Sequence, residues 1–496
     1  MVLGETDARI TALHQAVLTA DERTADFLQA LADDAVKVAG EQVLIVRDGR
    51  GLDPLTGAIM AVPATAEDVV SNNRMRSELD AALAGLKLFS RDDKLRLDAA
   101  KALLKEPDAS RLALLDKALA AEQVPAIKAQ LVLARAAVQL GSADKALRLQ
   151  AAKTLGESKT PQTKLLLSDR LGLETDTEVK VQLSASLRAI EEALQWGERL
   201  GALFTGVSLG SILLLAALGL AITYGLMGVI NMAHGELMMI GAYATYVVQG
   251  VFRSYLPGAF DWYLVAALPV AFMASAGVGA VLERSVLRFL YGRPLETLLA
   301  TWGISLVLMQ AVRSLFGAQN VGVENPAWMS GGVQVLANLT LPYNRLVIIG
   351  FAVAVLLGMG WLIGRTRLGL FVRGVTQNRP IAACMGVNTA RIDTYAFALG
   401  SGIAGLAGVA LSQVGNVGPD LGQNYIVDSF MVVVLGGVGQ LAGTVYAALG
   451  LGVLNKFLEG WTGAVLAKIA VLVFIIIFIQ KRPQGIFAVK GRSAEA

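Results

Sequence analysis

Three polar residues, Asn231, His234 and Glu236, lie within six positions of one another at the start of a long apolar run. Ionisable side chains in such a run are costly to bury and are candidates for function by default. His234 and Glu236 are two positions apart, so on a helix they point in different directions and do not form a catalytic pair. Two roles stay open: hydrogen bonding to something that passes along the run, or capping of the helix start near the cytoplasm, which is favoured.

Other polar residues stand singly in later apolar runs, where packing is the commoner role but lining of a pathway is the alternative: Thr301, Gln310, Gln440 and Asn455. One cysteine, Cys384, excludes an intrachain disulfide, and two histidines without a cysteine cluster predict no zinc site. No Gly-x-x-x-x-Gly-Lys-Ser/Thr motif occurs, so the chain is not expected to bind ATP itself. The sequence therefore predicts no catalytic residue, metal or cofactor, and no enzyme.

A basic segment over 365–394 has the pattern of a docking element. A polar stretch over 373–379 is followed by Pro380, which is accepted in a first helical turn, and by Gly386, which can end a short helix. A small helix with basic flanks fits a partner's groove and can be moved as a rigid body, whereas an ordinary charged loop is the alternative. The predicted contact residues are Arg373, Gln377, Arg379, Ala382, Ala383, Met385, Gly386 and Arg391.

Composition divides the 496 residues into two parts near residue 200. The whole chain is 54% hydrophobic and 17% charged, which is more apolar than a typical soluble domain. Residues 1–200 contain 30 of the 40 acidic residues, whereas residues 201–496 contain 42 of the 52 glycines. Glycine is more frequent in membrane helices, where it permits close packing. The mild basic excess lies between apolar runs and indicates loops beside a membrane rather than a nucleic-acid surface.

The second part, 201–490, is predicted to be a polytopic membrane domain. A spanning helix needs about 20 mostly apolar residues, and eight such spans are expected near 203–226, 233–252, 262–283, 296–316, 346–364, 395–415, 427–456 and 462–480. The seventh contains the Gly-rich stretch 436–443, which predicts a re-entrant or discontinuous helix; close helix packing is the alternative. Small residues of the sixth span, such as Ala404 and Gly408, predict close packing in a mobile bundle or at a dimer face.

Twelve Lys and Arg residues follow the third, fifth and last spans, which places these segments in the cytoplasm by the positive-inside rule. The three placements agree only if the seventh run re-enters or crosses twice. The 1–200 domain is then extracytoplasmic. An apolar signal region is not seen at the first residues, so an upstream start, a removed signal or a cytoplasmic domain stays open.

Residues 1–200 are predicted to form amphipathic helices with an internal repeat. Residues 95–103 recur at 147–155, and a second similarity between 128–131 and 180–183 keeps the same 52-residue offset. This favours duplicated hairpins of about 26 residues, similar to HEAT repeats, as a protein-binding surface or as a spacer. A short strand and turn are expected near 42–62, with 58–62 pairing against 43–46. The fold class is thus all-α: a soluble helical-repeat domain before a transmembrane bundle.

Three stretches resemble permeases of ATP-binding cassette (ABC) importers of the branched-chain amino acid type. They are Gly228–Tyr243 with its Asn-x-Ala-His-Gly-Glu string, Leu299–Leu306, and the region from Arg373 through Gly386 to Val409. The helical N-terminal extension is similar to that of the urea-specific members. The resemblance implies an inner-membrane permease subunit of a bacterial urea importer, with 365–394 as the coupling segment. The candidate pathway residues, from their polarity within apolar runs, are Asn231, His234, Glu236, Thr301 and Gln440.

The same resemblance implies the partners: two ATPase subunits that bind ATP, a second related permease, an extracytoplasmic solute-binding protein and membrane lipid, but no nucleic acid. For a small neutral solute such as urea, the polar groups could supply hydrogen bonds without charge. A permease for branched-chain amino acids or short amides is the alternative, and a stand-alone urea channel is a weaker one because a channel needs no docking segment.

Overall fold

The computed structural model describes residues 2, 6–18, 22–40, 42–47, 50–54, 56–63, 65–69, 72–228 and 230–487. The chain divides into two compact units, Met1–Gln195 and Trp196–Ala496. This boundary lies within five residues of the composition change in the sequence. Asp48 and Gly49, expected in a turn, and the terminal Lys490 and Arg492 lie outside the described residues.

The first unit opens with two helices and a small sheet. Helices α1 (Thr6–Leu18) and α2 (Glu22–Ala32) precede strands β1 (Val36–Ala39), β2 (Gln42–Arg47), β3 (Arg50–Leu52), β4 (Ile59–Met60) and β5 (Glu67–Asp68). The five strands pair antiparallel in the order β4-β3-β2-β1-β5. Val36 faces Ile45 and Val38 faces Val43 across β1 and β2, and such β-branched pairs stabilise adjacent strands.

The sheet corrects two sequence predictions. An all-α description is wrong for residues 36–68, and the return strand over 58–62 pairs with β3 rather than with β2. Strands of two to four residues contain too few positions for an alternating pattern to be recognised.

The remaining helices of this unit repeat with the 52-residue offset. They are α3 (Asn73–Leu86), α4 (Asp93–Lys105), α5 (Leu112–Ala121), α6 (Pro125–Gln139), α7 (Lys145–Glu157), α8 (Pro161–Leu173) and α9 (Thr177–Met227). Helices α4 to α6 correspond to α7, α8 and the start of α9, so each period contains three helices rather than two hairpins. Asp92 and Asp144 cap the equivalent helices α4 and α7, each accepting a backbone N–H at 2.8 Å.

A buried ion pair is duplicated with the same offset. Arg96 donates to Glu122 at 2.8 Å, and Arg148 donates to Glu174 at 3.0 Å. Each carboxylate also accepts the backbone N–H groups of the next two residues. Because ion pair, cap and helix order all recur, the sequence repeat reflects a duplicated structural unit.

The second unit is a helical bundle with one small hairpin. It contains the end of α9 followed by α10 (His234–Tyr255), α11 (Tyr263–Ser285), α12 (Pro294–Phe316), β6 (Gly332–Leu336), β7 (Leu339–Pro342), α13 (Tyr343–Arg365), α14 (Arg367–Gln377), α15 (Arg379–Cys384), α16 (Thr389–Ser412), α17 (Leu421–Gly436), α18 (Leu441–Thr462) and α19 (Ala464–Lys481).

Seven helices of the described chain are long and apolar enough to cross a membrane: α9, α11, α12, α13, α16, α18 and α19. The protein is therefore a multi-pass membrane protein. Helix α10 corresponds to a predicted span but is not among the seven, and α17 is shorter, at 16 residues.

The predicted seventh span is two helices. Helices α17 and α18 pack against each other and are joined by residues 437–440, in which Gly437 and Gly439 have φ of +98° and +80°. A Cβ on Gly443 would clash with the carbonyl oxygen of Gly436. Two packed helices joined by a tight turn are compatible with both alternatives, re-entry of this run or a double crossing.

Helix α16 lies at the centre of the bundle and packs on α10 and α11. Its small residues face backbone of this same chain, since a Cβ on Gly405 or Gly408 would meet Ala271 or Met238 respectively. The predicted close packing is therefore within the bundle, and these residues do not form an open dimer face.

Candidate functional site

Helix α10 begins deep inside the bundle rather than at the end of α9. The Nε2 of His234 donates to the carbonyl oxygen of Ala216 at 2.9 Å, and Ala216 lies about three helical turns before Met227, where α9 ends. The short connection, of which residues 228 and 230–233 are described, therefore runs back along α9. Non-helical backbone at such depth is tolerated only where protein or water satisfies its polar groups.

Hydrogen bonds tie this connection and α10 to α12. The backbone N–H of Met232 donates to Thr301 at 3.1 Å, and one turn further along α12, Ser305 donates to Oε1 of Glu236 at 2.9 Å. Asn231 accepts the backbone N–H of Ala233 at 3.0 Å. The structure thus brings together Asn231, Glu236 and Thr301, three of the five predicted pathway residues, in a polar row.

Sequence reasoning missed Ser305, although its spacing of four from Thr301 places both on one face of α12. The predicted capping of α10 by Asn231 or His234 is not observed, because the N-cap residue is Ala233 and no side chain caps this helix start. Asn231 instead orders the turn before α10 through its bond to Ala233. The position of this helix start near the cytoplasm stays a prediction.

Several buried polar atoms of this region have no hydrogen-bond partner among the described residues: Nδ2 of Asn231, Nδ1 of His234, Oε2 of Glu236 and the hydroxyl of Tyr243. Buried polar groups are normally satisfied. Through Asn231 and Glu236, the row therefore retains unused hydrogen-bonding capacity that water or a passing solute can take up.

The remaining predicted pathway residues lie elsewhere. His234 binds α9, on the opposite side from the polar row. Gln440 lies in the turn between α17 and α18, where its carbonyl oxygen accepts from Thr444 at 3.0 Å; this turn packs on the end of α9, with Gly439 against Gly225.

The basic segment forms the predicted short helix, α15, and the polar stretch before it is part of a further helix, α14, that was not predicted. Asn378 caps α15 by accepting the backbone N–H of Ile381 at 3.1 Å, and Pro380 occupies its first turn. Gly386 follows with φ of +83°, a conformation that favours glycine. Met385 is 79% exposed and Ile381 is 60% exposed, so α15 presents an apolar face to solvent.

Most of the predicted contact residues are exposed, including Arg373, Gln377, Ala383 and Arg391. Ala382 is buried and cannot contact a partner with its side chain. Arg379 is exposed but is already ion-paired with Asp393 and lies over the ring of Tyr291.

A buried polar cluster connects α15 to the bundle. Tyr291 donates to Oε1 of Glu283 at 2.7 Å, and Thr394 donates to Oε2 of the same carboxylate at 2.6 Å. Burial, together with the bond to Glu283, raises the pKa of the Tyr291 hydroxyl, which keeps it a proton donor. With Arg379 and Asp393, this linkage cluster joins α15 to α11, to the α11–α12 connection and to α16.

Within the described ranges, no group of three or more His, Cys, Asp or Glu side chains could hold a metal ion. The observed contacts support hydrogen bonding along the polar row and a linkage of α15 to the rest of the bundle.

Comparison with known proteins gives relatives for the second unit. The high-affinity branched-chain amino acid transport system permease protein BraD of Pseudomonas aeruginosa is 27% identical over 288 residues, covering 57% of this chain and 94% of that protein. LivH of Escherichia coli, of the same description, is 29% identical over 291 residues with the same coverage. The ribose import permease protein RbsC of Escherichia coli is 27% identical over 205 residues, covering 39% of this chain and 61% of RbsC.

No solved structure matches this chain at a significant level. Residues 202–480, more than half of the chain, match the family described as branched-chain amino acid transport system, permease component. The chain, with its bundle of membrane-length helices, belongs to this permease family.

Proposed function

We propose that this chain forms the membrane pathway of an ATP-driven importer and contributes no ATPase of its own. Two partner subunits bind and hydrolyse ATP, a second related permease completes the pathway, and an extracytoplasmic protein delivers the solute. The chain lies in the inner membrane of a bacterium. Its first unit faces the periplasm, as the distribution of Lys and Arg predicts.

The observation that carries this proposal is the geometry of α15. Its exposed apolar face, with Ile381 and Met385, suits a groove on a partner protein. Its opposite side is fixed to α11 and α16 through Arg379, Asp393 and Glu283. A helix that is exposed on one face and rigidly tied on the other can pass a partner's movement to the bundle.

The first candidate cargo is a branched-chain amino acid. The descriptions of the relatives BraD and LivH name branched-chain amino acids as the transported solute. The similarity of this chain to each of them covers 94% of that relative's length. The unused hydrogen-bonding atoms of the polar row are compatible with a small polar solute of this kind.

Urea is the second candidate, favoured by one specific observation. The family match begins at residue 202, so it leaves the whole first unit unexplained. The resemblance of this extension to that of urea-specific permeases, taken from the sequence, supports urea as the cargo.

Uptake by the complete transporter tests the proposal. The chain is reconstituted into proteoliposomes with its ATPase subunits, second permease and binding protein, and uptake of labelled leucine and labelled urea is measured with and without internal ATP. ATP-dependent uptake of one of the two identifies the cargo. Uptake that is independent of ATP, or uptake by this chain alone, would overturn the importer assignment in favour of a channel.

Docking is tested in the same system by Gly386→Trp, which places a bulky side chain in a left-handed backbone position on the exposed face. We expect ATP-driven uptake to fall at least tenfold while the chain remains folded. The matched control is Gly374→Ala in α14, where a Cβ meets nothing within 4 Å. Unchanged uptake by the Gly386 variant would reject the docking assignment.

A further inference from the structure

A second polar site lies at the opposite end of the bundle from α15. A cavity of about 500 Å³ opens between the loop over 414–418, the first turns of α17, the last turns of α18 and the start of α19. Its wall includes four asparagines and both signs of charge: Asp420, Asp428, Lys456, Glu459 and Lys468. We name it the outer cavity, because the loops around it carry few basic residues and are predicted to lie outside the cytoplasm.

The charges in the outer cavity are not all neutralised by one another. Lys456 pairs with Glu459 at 2.6 Å, and Lys468 pairs with Asp428 at 3.5 Å. The side chain of Lys468 nevertheless stays more than half exposed. Asp420 precedes α17 without capping it through its side chain and is exposed. The carboxylate of Asp420 and the exposed ammonium of Lys468 therefore face the same space. Lys468 can bind a further acceptor because an ammonium group has three N–H donors.

The wall that carries Asp420 is held by tertiary contacts. Val321 and Val417 exchange backbone hydrogen bonds at 2.8 and 2.9 Å. These bonds hold the segment that contains Asn320 and Val321 against the 414–418 loop. A Cβ on Gly418 would meet the side-chain oxygens of both Asn320 and Asp420. These two oxygens therefore converge over a glycine. The arrangement is preorganised, which lowers the free-energy cost of binding a solute.

The outer cavity also leads toward the buried polar row. The carboxyl of Asp420 lies in the electrostatic surroundings of the Glu236 carboxyl and the Tyr243 hydroxyl. The backbones of Gly422, at the start of α17, and Gly235, at the start of α10, are in close contact. Both Glu236 and Tyr243 have an unpartnered buried oxygen. A solute held by Asp420 is thus adjacent to the next set of hydrogen-bonding groups.

We infer that the outer cavity is a binding site for a small solute that carries N–H donors and an oxygen acceptor, with Asp420 receiving the N–H groups and Lys468 binding the oxygen. Two solutes share this chemistry: the zwitterion of an amino acid and urea. The inference rests on the proposed function, which it deepens by placing the solute in this subunit before it reaches the row at Glu236.

Protection of an introduced cysteine tests binding without requiring transport. Asn424→Cys, on the wall of the cavity, is combined with Cys384→Ser, which removes the single native thiol. The full transporter in nanodiscs is treated with a charged, membrane-impermeant thiol reagent in the presence of leucine or of urea. We expect one of them to slow modification at least threefold, with half-protection at a definite solute concentration.

The same protection is then measured with Asp420→Asn and, as a matched control, with Glu324→Gln. Glu324 is an exposed acidic residue that pairs with Arg253 outside the cavity. Asp420→Asn is expected to raise the half-protecting concentration at least tenfold, and Glu324→Gln is expected to leave it unchanged.

Failure of the two proposals can be told apart. If the wild-type transporter takes up solute with ATP but neither solute protects the introduced thiol, or if Asp420→Asn leaves protection as strong as before, the outer cavity is not the binding site and the importer assignment stands. If the wild-type transporter shows no ATP-dependent uptake of either solute, the proposed function fails, and the inference that depends on it fails as well.

Discussion

At the residue scale, substitution of Glu236 distinguishes a structural role of the polar row from a role in transport. One of its carboxylate oxygens accepts from Ser305, and the other is buried without a described partner. Glu236→Gln keeps the size of the side chain and can keep the bond from Ser305, but it replaces the unused acceptor with an N–H donor. If that oxygen meets solute, uptake should fall about tenfold, equivalent to about 1.4 kcal/mol.

Ser275→Ala is the control for this prediction. It removes an equally buried hydrogen bond, from Ser275 to the carbonyl oxygen of Leu237 at 2.9 Å, and should cost about 1 kcal/mol of stability without changing the KM for uptake. The measurements are the KM and maximal rate of ATP-driven uptake and the melting temperature in detergent. Normal uptake by Glu236→Gln would leave the row with a packing role only.

Glu174 in the first unit gives a pH-dependent prediction. Burial by itself raises its pKa, but the backbone N–H groups of Asp176 and Thr175 and the Arg170 guanidinium lower it by more, to about 2 from an unperturbed 4.5. Because the folded-state pKa is depressed, the stabilisation is complete above about pH 4.5. It is lost as the pH falls through 2.

Glu174→Gln should therefore destabilise the full chain at pH 7, and the difference from wild type should shrink as the pH approaches 2. The chain is heated stepwise and exposed briefly to a protease at each temperature, with pepsin used at low pH. Mass spectrometry then shows at which temperature residues 145–176 become cleavable, which reports their unfolding. Glu178→Gln, which affects an exposed carboxylate, is the control and should have little effect at any pH. An equal loss of stability at pH 7 and pH 3 would contradict the depressed pKa.

At the element scale, the linkage cluster joins α15 to α11 and α16, so that a movement of α15 is expected to move these helices as well. Tyr291→Phe keeps the ring under Arg379 but removes the hydroxyl that donates to Glu283. A hydrogen bond to a charged group contributes about 1.5–3 kcal/mol, so the connection between α15 and α11 should weaken without loss of docking.

We expect the Tyr291→Phe transporter to assemble and hydrolyse ATP, but to move several-fold fewer solute molecules for each ATP. Tyr395→Phe is the matched control, because this neighbouring tyrosine of α16 is exposed. Uptake and phosphate release are measured in the same proteoliposomes. A normal ratio of uptake to hydrolysis in the Tyr291 variant would show that the cluster does not transmit movement.

Local patterns were enough to predict some elements and not others. The start of α15 follows from Asn378 and Pro380, and the repeat follows from similarity at one offset, because both depend on neighbouring residues. The depth at which α10 begins depends on a bond between His234 and Ala216. The polar row depends on Ser305 meeting Glu236 across 69 positions. Such contacts are set by packing of the whole bundle and leave no local signal.

At the scale of the whole molecule, the first unit is the part that the family match does not include. Its duplicated helices carry exposed aliphatic residues, of which Leu165, Leu173 and Val181 are 63%, 76% and 65% exposed. Helical repeats commonly use such surfaces to bind proteins. We propose that this unit contacts the solute-binding protein or the second permease.

Deletion of residues 1–195 and the combined variant Leu165→Ser, Leu173→Ser test this role in the full transporter. Both changes should leave co-purification with the ATPase subunits intact, since α15 is untouched. If the first unit binds the solute-binding protein, both changes should reduce the stimulation of ATP hydrolysis by that protein at least tenfold. If the first unit binds the second permease instead, both changes should release that subunit from the complex. The control is Asp116→Asn, a surface change in the other copy of the repeat. Normal assembly together with normal stimulation in both variants would reject a contact role and leave the duplicated helices as a spacer.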